Sequence, residues 1–249
     1  MYRHDKTKPK KFKEISLTKE QVENICAEYV RKTRGDLEYI EKYPESIYLE
    51  MVKLNCHLLR DIEYQTEKIC LEAVKQNGLA LIYVKEQTEE ICIEAVKQNR
   101  YALDYVKKQT PKICMEAVRQ EGLFLCCVKE QTPELCIEAV KQTGLALMYV
   151  RWNQLEGEFL RYWTEEICIE AVKQDREALK YVKNQTEHIC LEAVRKDGLA
   201  IQFVENQTKE ICTEALKQNK KAIKYIKDKE KYLNKSRVKN LFDWIKDKK

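Results

Sequence analysis

The chain has 249 residues, 35% of them charged, with 4 prolines, 6 glycines and a formal net charge of +5. This excludes a collagen-like or proline-rich low-complexity chain and suits a helical array, and no apolar run approaches a membrane span. Residues 1–13 sum to +5 and residues 217–249 to +9, so the middle carries −9, which excludes a uniformly basic nucleic-acid binder.

Residues 1–15 are basic and poor in apolar side chains, and they read as a disordered tail. No apolar core follows them, so they are not a secretory signal. Thr18 opens the first helix, and Gln21 three residues on completes a capping box. A degenerate unit follows, with Ile25, Cys26, Tyr29 and Val30, then Leu37, Tyr39 and Ile40. The next unit is also irregular, with Tyr48, Cys56 and Asp61 where later units carry Cys, Gly and Tyr.

From there a 22-residue period dominates, marked by Cys70, Cys92, Cys114 and Cys136, then, after a step of 32, by Cys168, Cys190 and Cys212. Stepping back to Tyr48 and Cys26 gives nine units. Each reads as two short helices. Thr66, Thr88, Thr110, Thr132, Thr164, Thr186 and Thr208 stand as N-caps of the first. Pro111 and Pro133 fit its first position. Ile69, Cys70, Ala73 and Val74 share its apolar face. Gly78, Gly122, Gly144 and Gly198 read as the C-terminal glycines that end it. Ala80, Leu81, Tyr83 and Val84 then give one face of a second α-helix. Its outward position varies: Ile82, Asp104, Cys126, Met148, Lys180, Gln202, Lys224. One unit buries too little apolar surface to offset the entropy of ordering its backbone, so stacked neighbours must supply the rest. The expected fold is all-α: an α-solenoid of nine helix-turn-helix repeats over 16–228, closed by a basic amphipathic C-terminal helix over 229–249.

The strings from Cys70 to Gly78, from Gly78 to Val84 and from Gln87 to Cys92 resemble a helical-repeat family of unknown function. That family is abundant in giant DNA viruses of amoebae, the mimivirus relatives. The resemblance covers about residues 45–227. It implies a helical repeat fold and a viral origin, and brings no activity and no catalytic residues.

The cysteines sit on the core face with no C-x-x-C and no interleaved histidine, so they read as reduced, metal-free apolar residues in a cytosolic compartment, the host cytoplasm or a virion if the chain is viral. Cys126 points outward and is the expected reactive thiol. The repeated glutamates, such as Glu72 and Glu192, read as flank carboxylates paired to a lysine or a helix N–H rather than as a cation-binding ladder. The tyrosine position (Tyr39, Tyr83, Tyr105, Tyr149, Tyr181, Phe203, Tyr225) reads as core rather than as a base-stacking row. His4, His57 and His188 lie far apart, and there is no phosphate loop. No catalytic, cofactor or metal residue is therefore assigned, and no enzyme, small-molecule substrate or membrane contact is expected.

Two binding regions remain. Ten extra residues enter between Val150 and Thr164, within 151–163. Leu155, Phe159 and Tyr162 follow Val150 at near-helical steps, which predicts a longer second helix in the sixth unit. Arg151, Trp152, Phe159, Arg161, Tyr162 and Trp163, with the outward Cys126 and Met148, form the candidate surface for a protein partner or a second copy of the chain. The basic ends, with Lys8, Lys10, Lys11, Lys13, Lys231, Lys235, Arg237 and Lys239, are the alternative, a nucleic-acid or ribonucleoprotein contact. The expected function is a non-enzymatic scaffold or adaptor.

Overall fold

The computed structural model describes residues 44–155 and 160–232, together with 18, 20–22, 24–25 and 27; the side chains of 160–163 and 231–232 lie outside that description. The chain divides into two compact units, Met1–Lys107 and Lys108–Lys249. Each is a helical repeat array with the 22-residue period, and the described residues contain no strand.

In the first unit α1 (Glu45–Leu54), α2 (Glu67–Gln76) and α3 (Glu89–Gln98) stack in order. In the second, α4 (Pro111–Gln120), α5 (Pro133–Gln142), α6 (Leu160–Gln174), α7 (Glu187–Lys196) and α8 (Lys209–Gln218) do the same. A short helix, α9 (Lys229–Tyr232), follows; the remainder of the expected capping helix lies outside the described residues. Thr18 and Gln21 form the expected capping box, each backbone N–H bonding the other's side chain at 2.8 and 3.3 Å.

In every repeat whose second element is described the second element is not an α-helix; that of the first repeat, with Leu37, Tyr39 and Ile40, lies outside the described residues. In the described repeats it is a six-residue 3-10 helix, as in Gly78–Tyr83 and Gly198–Phe203. Asn77 is extended, its side chain accepts from Leu79 N–H, and its carbonyl accepts from Ala80 N–H at 2.8 Å. The chain turns extended again at Val84, whose N–H reaches back to the Leu81 carbonyl. Six residues between two extended ones leave little room for α-helical bonding, whereas i→i+3 bonds close within them.

The 3-10 helices form a second layer, each against the α-helix of its own repeat and that of the next within the unit. The core lies between the layers: Ile69, Ala73, Val74, Ala80 and Leu81 are fully buried, and equivalent residues are buried along both units.

The glycines do not end the α-helices. None of Gly78, Gly122, Gly144 and Gly198 has a positive φ, and each is the first residue of its 3-10 helix. A Cβ on Gly78 would fall on the Ala95 carbonyl oxygen of the next repeat, and one on Gly144 on that of Ala171. Glycine here permits close approach of two layers, not a left-handed turn.

The insertion lengthens the opposite neighbour from the one its spacing indicates. The 3-10 helix Gly144–Tyr149 ends at Val150 as in other repeats, and a three-residue 3-10 turn, Trp152–Gln154, follows. The helix that grows is α6, 15 residues against 10 in each of α1–α5, α7 and α8. It begins at Leu160, so Thr164 is inside a helix and is not an N-cap. The 3-10 layer nonetheless runs directly from Gly144–Tyr149 to Arg176–Tyr181.

Candidate interaction surface

The residues that fix one repeat on the next are polar, and the helical pattern does not show them. Gln65 sits in the link before α2. Its Nε2 donates to the carbonyls of Leu59 at 2.8 Å and of Tyr83, in the next repeat, at 2.9 Å. Its Oε1 accepts from Lys85 N–H at 2.9 Å, and more weakly from the Cys70 thiol. Gln87, Gln131, Gln185 and Gln207 repeat the two carbonyl bonds and the N–H bond. Gln109 does so toward Cys127 and Lys129. Gln131 and Gln207 are buried, at 4% and 7% exposure. A buried amide with four partners locks spacing and register together.

Other repeated side chains finish the joint. The hydroxyl of Thr88 accepts from Ile91 N–H as an N-cap and donates to Glu67 of the preceding repeat at 2.9 Å. Lys107 Nζ donates to the Lys85 carbonyl at 2.7 Å, and Lys227 and Arg151 do the equivalent. Gln98 accepts from Gly78 N–H and donates to the Gln76 carbonyl. Of the repeated glutamates, Glu50, Glu138, Glu170, Glu192 and Glu214 pair with cations one turn away or in the adjacent repeat, as in Arg195–Glu192 at 3.1 Å and Lys173–Glu192 at 3.7 Å.

Among the described residues the tyrosine row is not core; Tyr39 lies outside them. Tyr105, Tyr181 and Tyr225 are exposed, and Tyr83, Tyr149 and Phe203 are half-buried. The 3-10 period explains the change. At three residues per turn Leu81 and Val84 fall in line and are buried, while Tyr83 shares a row with Ala80. The small alanine fits beneath the neighbouring layer and the larger ring stays at its rim. Beside this row the outward position is exposed at Ile82, Asp104, Cys126, Met148, Lys180 and Lys224, with Gln202 half-buried. Each unit thus carries a 3-10 edge where aromatic rings recur next to a side chain that varies from repeat to repeat.

Of the residues assigned to the insertion patch, Cys126 and Met148 are exposed on that edge. Trp152 is half-buried and Leu155 fully so. Arg151 is spent on structure: its guanidinium donates to the carbonyls of Val128, Lys129 and Cys126 at 2.7–3.1 Å. Phe159 lies outside the described residues, as do the side chains of Arg161, Tyr162 and Trp163. Lys8, Lys10, Lys11, Lys13, Lys235, Arg237 and Lys239 lie outside them too, as does the side chain of Lys231.

Cys70, Cys92, Cys114, Cys136, Cys168, Cys190 and Cys212 are buried free thiols. Burial pushes Cys136 and Cys168 up to about 12 and the other five to about 11, so they stay neutral at ordinary pH. Cys126 is exposed, with its sulfur 3.4 Å from that of Cys127. Among the described residues no group of three or more His, Cys, Asp or Glu side chains is arranged to hold a metal ion. Among the same residues no helix is long and apolar enough to cross a membrane.

Where glycine is replaced, the seam changes. Arg176 stands at that position and pairs with Asp197 of the next repeat at 2.6 Å. Lys196 replaces the glutamine that would bond the glycine N–H, and a polar cleft of about 390 Å³ lies over Lys173, Asp175, Arg176 and Asp197.

A family model described as a domain of unknown function (DUF4116) matches residues 66–110 and 186–230, each stretch covering about two periods of the repeat. Comparison with curated proteins and with solved structures finds no match. The chain is thus an array of regular 22-residue helical repeats, two stretches of which are similar to a domain of unknown function.

Proposed function

We propose that the chain is a non-enzymatic scaffold or adaptor that binds a protein partner along its 3-10 edges, in the cytoplasm of a cell infected by a giant virus. One observation carries the reading: side chains that hold the array recur from repeat to repeat, while the exposed position beside the aromatic row does not. Half-exposed Tyr83 and Tyr149, beside Ile82 and Met148, supply the aromatic and apolar anchors that protein interfaces favour, and Cys126 lies at the same position between them. Extended surfaces of this kind suit helical arrays. The viral setting rests on the resemblance of the repeat strings.

Ile82→Lys and Met148→Lys test it, because Lys180 and Lys224 already occupy the same position. The double variant keeps the parent's melting curve and loses a partner that the parent retains in affinity capture from expressing cells. An unchanged set of partners contradicts the proposal.

A further inference from the structure

From the third repeat on, the 3-10 helix closes with an outward residue and then an aromatic ring, as in Ile82 and Tyr83 or Lys224 and Tyr225. The fifth repeat departs from this: both positions are cysteine, Cys126 and Cys127. Cys126 is exposed, Cys127 is half-buried, and their sulfurs lie 3.4 Å apart. The other described cysteines are buried. Burial pushes Cys114 up to about 11 and Cys136 up to about 12, so these neighbours stay neutral and out of reach.

The backbone of the pair is held from both sides. The guanidinium of Arg151, after the sixth repeat, donates to the Cys126 carbonyl at 3.1 Å. Gln109, in the link before the fifth, donates to the Cys127 carbonyl at 3.1 Å and takes the Lys129 N–H at 2.8 Å. Consecutive Cα atoms are ~3.8 Å apart, closer than the ~4.4–6.8 Å usual across a disulfide. A direct sulfur–sulfur bond would therefore have to bend a peptide that other repeats hold in place. A single atom bridging the two sulfurs asks for no such movement. Two bonds of ~2.3 Å, the length of a thiolate bond to zinc, span 3.4 Å at an angle of roughly 95°. That is the angle of a pyramidal three-coordinate centre, whereas a tetrahedral metal would spread the sulfurs to ~3.8 Å.

We infer that Cys126 and Cys127 form a binding site for a trivalent arsenical of the class R–As(OH)2. Each hydroxyl leaves as water with one thiol proton, and two arsenic–sulfur bonds form. Arsenic stays trivalent, so no oxidant or reductant takes part. The site rests on the cysteine pair alone and stands whether or not the 3-10 edge binds a protein.

The test is binding of phenylarsine oxide, which hydrates to this class, to the reduced full chain. It is read by native intact mass and by protection of Cys126 and Cys127 from maleimide. One arsenical per chain is expected, released by ethanedithiol and retained against a monothiol at the same thiol concentration. Cys126→Lys and Cys127→Tyr place at each position a residue that other repeats carry there, so the fold is kept. Each is expected to weaken binding roughly a hundredfold, because the second bond gains from being intramolecular. Parent-like binding by either variant, protection confined to other cysteines, or release by the monothiol as readily as by the dithiol overturns the inference. Displacement by an equal concentration of zinc also overturns it and assigns the pair to a metal ion. So does ready closure of the pair to a disulfide by glutathione disulfide with an unchanged melting curve, which would show that the held peptide yields.

Discussion

Gln131 shows how a single side chain carries the repeat geometry. Its amide donates to the carbonyls of Leu125 and Tyr149, both at 3.0 Å, and accepts from Arg151 N–H at 2.7 Å. Gln131→Leu keeps much of the volume and leaves two carbonyls and an N–H without that partner, so it is expected to cost about 2–4 kcal/mol in urea unfolding. Gly144→Ala is expected to cost about 1–3 kcal/mol by the same measurement, because its Cβ meets the Ala171 carbonyl. The cysteine row makes a pH prediction. Burial raises Cys136 from 9.0 to about 12. Below pH 9 the thiol is neutral folded and unfolded, and its contribution to stability is fully present. Above that the unfolded chain ionises first, so stability falls as pH rises toward the folded value. The urea midpoint is expected to drop between about pH 9 and pH 12. Cys136→Ala should shallow that slope, and an unaltered slope would count against the burial argument. The glutamine role was not legible in the sequence, because its partners are backbone groups and a polar residue in a link reads as loop. Glycine was legible as special, but its reason, clearance beneath a carbonyl of the next repeat, belongs to packing and not to local conformation.

At the scale of elements, the α-helices were legible and the 3-10 helices were not. Ten residues with a threonine cap and apolar positions i, i+1, i+4 and i+5 fit only one period. Ala80, Leu81, Tyr83 and Val84 span too few residues to separate a period of 3.6 from one of 3.0, and the difference moves Tyr83 from core to rim. The insertion was misplaced for a related reason. Phe159 and Tyr162 continue a helical spacing in either direction, and the direction is decided by Val150, which is extended and closes the preceding 3-10 helix as Val84 does. Thr88 caps α3 and also holds Glu67 at 2.9 Å, so Thr88→Ala is expected to cost about 1–2 kcal/mol. Thr164 has the same register within a continuous helix, and Thr164→Ala should cost clearly less. Equal losses in thermal unfolding would restore Thr164 as a cap and remove the lengthened α6.

At the scale of the whole molecule, the two units repeat one plan: α-helices whose outer positions are charged, a shared core, and a 3-10 edge with rings at regular intervals. Lys75, Lys97 and Lys141 are exposed on the α-helices, whereas Ile82 and Met148 are exposed on the 3-10 edge. Repetition made this plan legible, since one unit defines the others. The candidate patch was legible only in part: Cys126 and Met148 lie on the proposed edge, while Arg151 is committed to three carbonyls. The central claim is that partners meet the 3-10 edge and not the α-helical face. Photo-cross-linking from single substituted positions tests it most directly, with the photoreactive residue at Ile82 or Met148 compared with Lys75 or Lys141 in the same expressing cells. The account expects a discrete cross-linked partner from positions 82 and 148 and none from 75 and 141. Cross-links from the lysine positions alone, or equally from all four, contradict it.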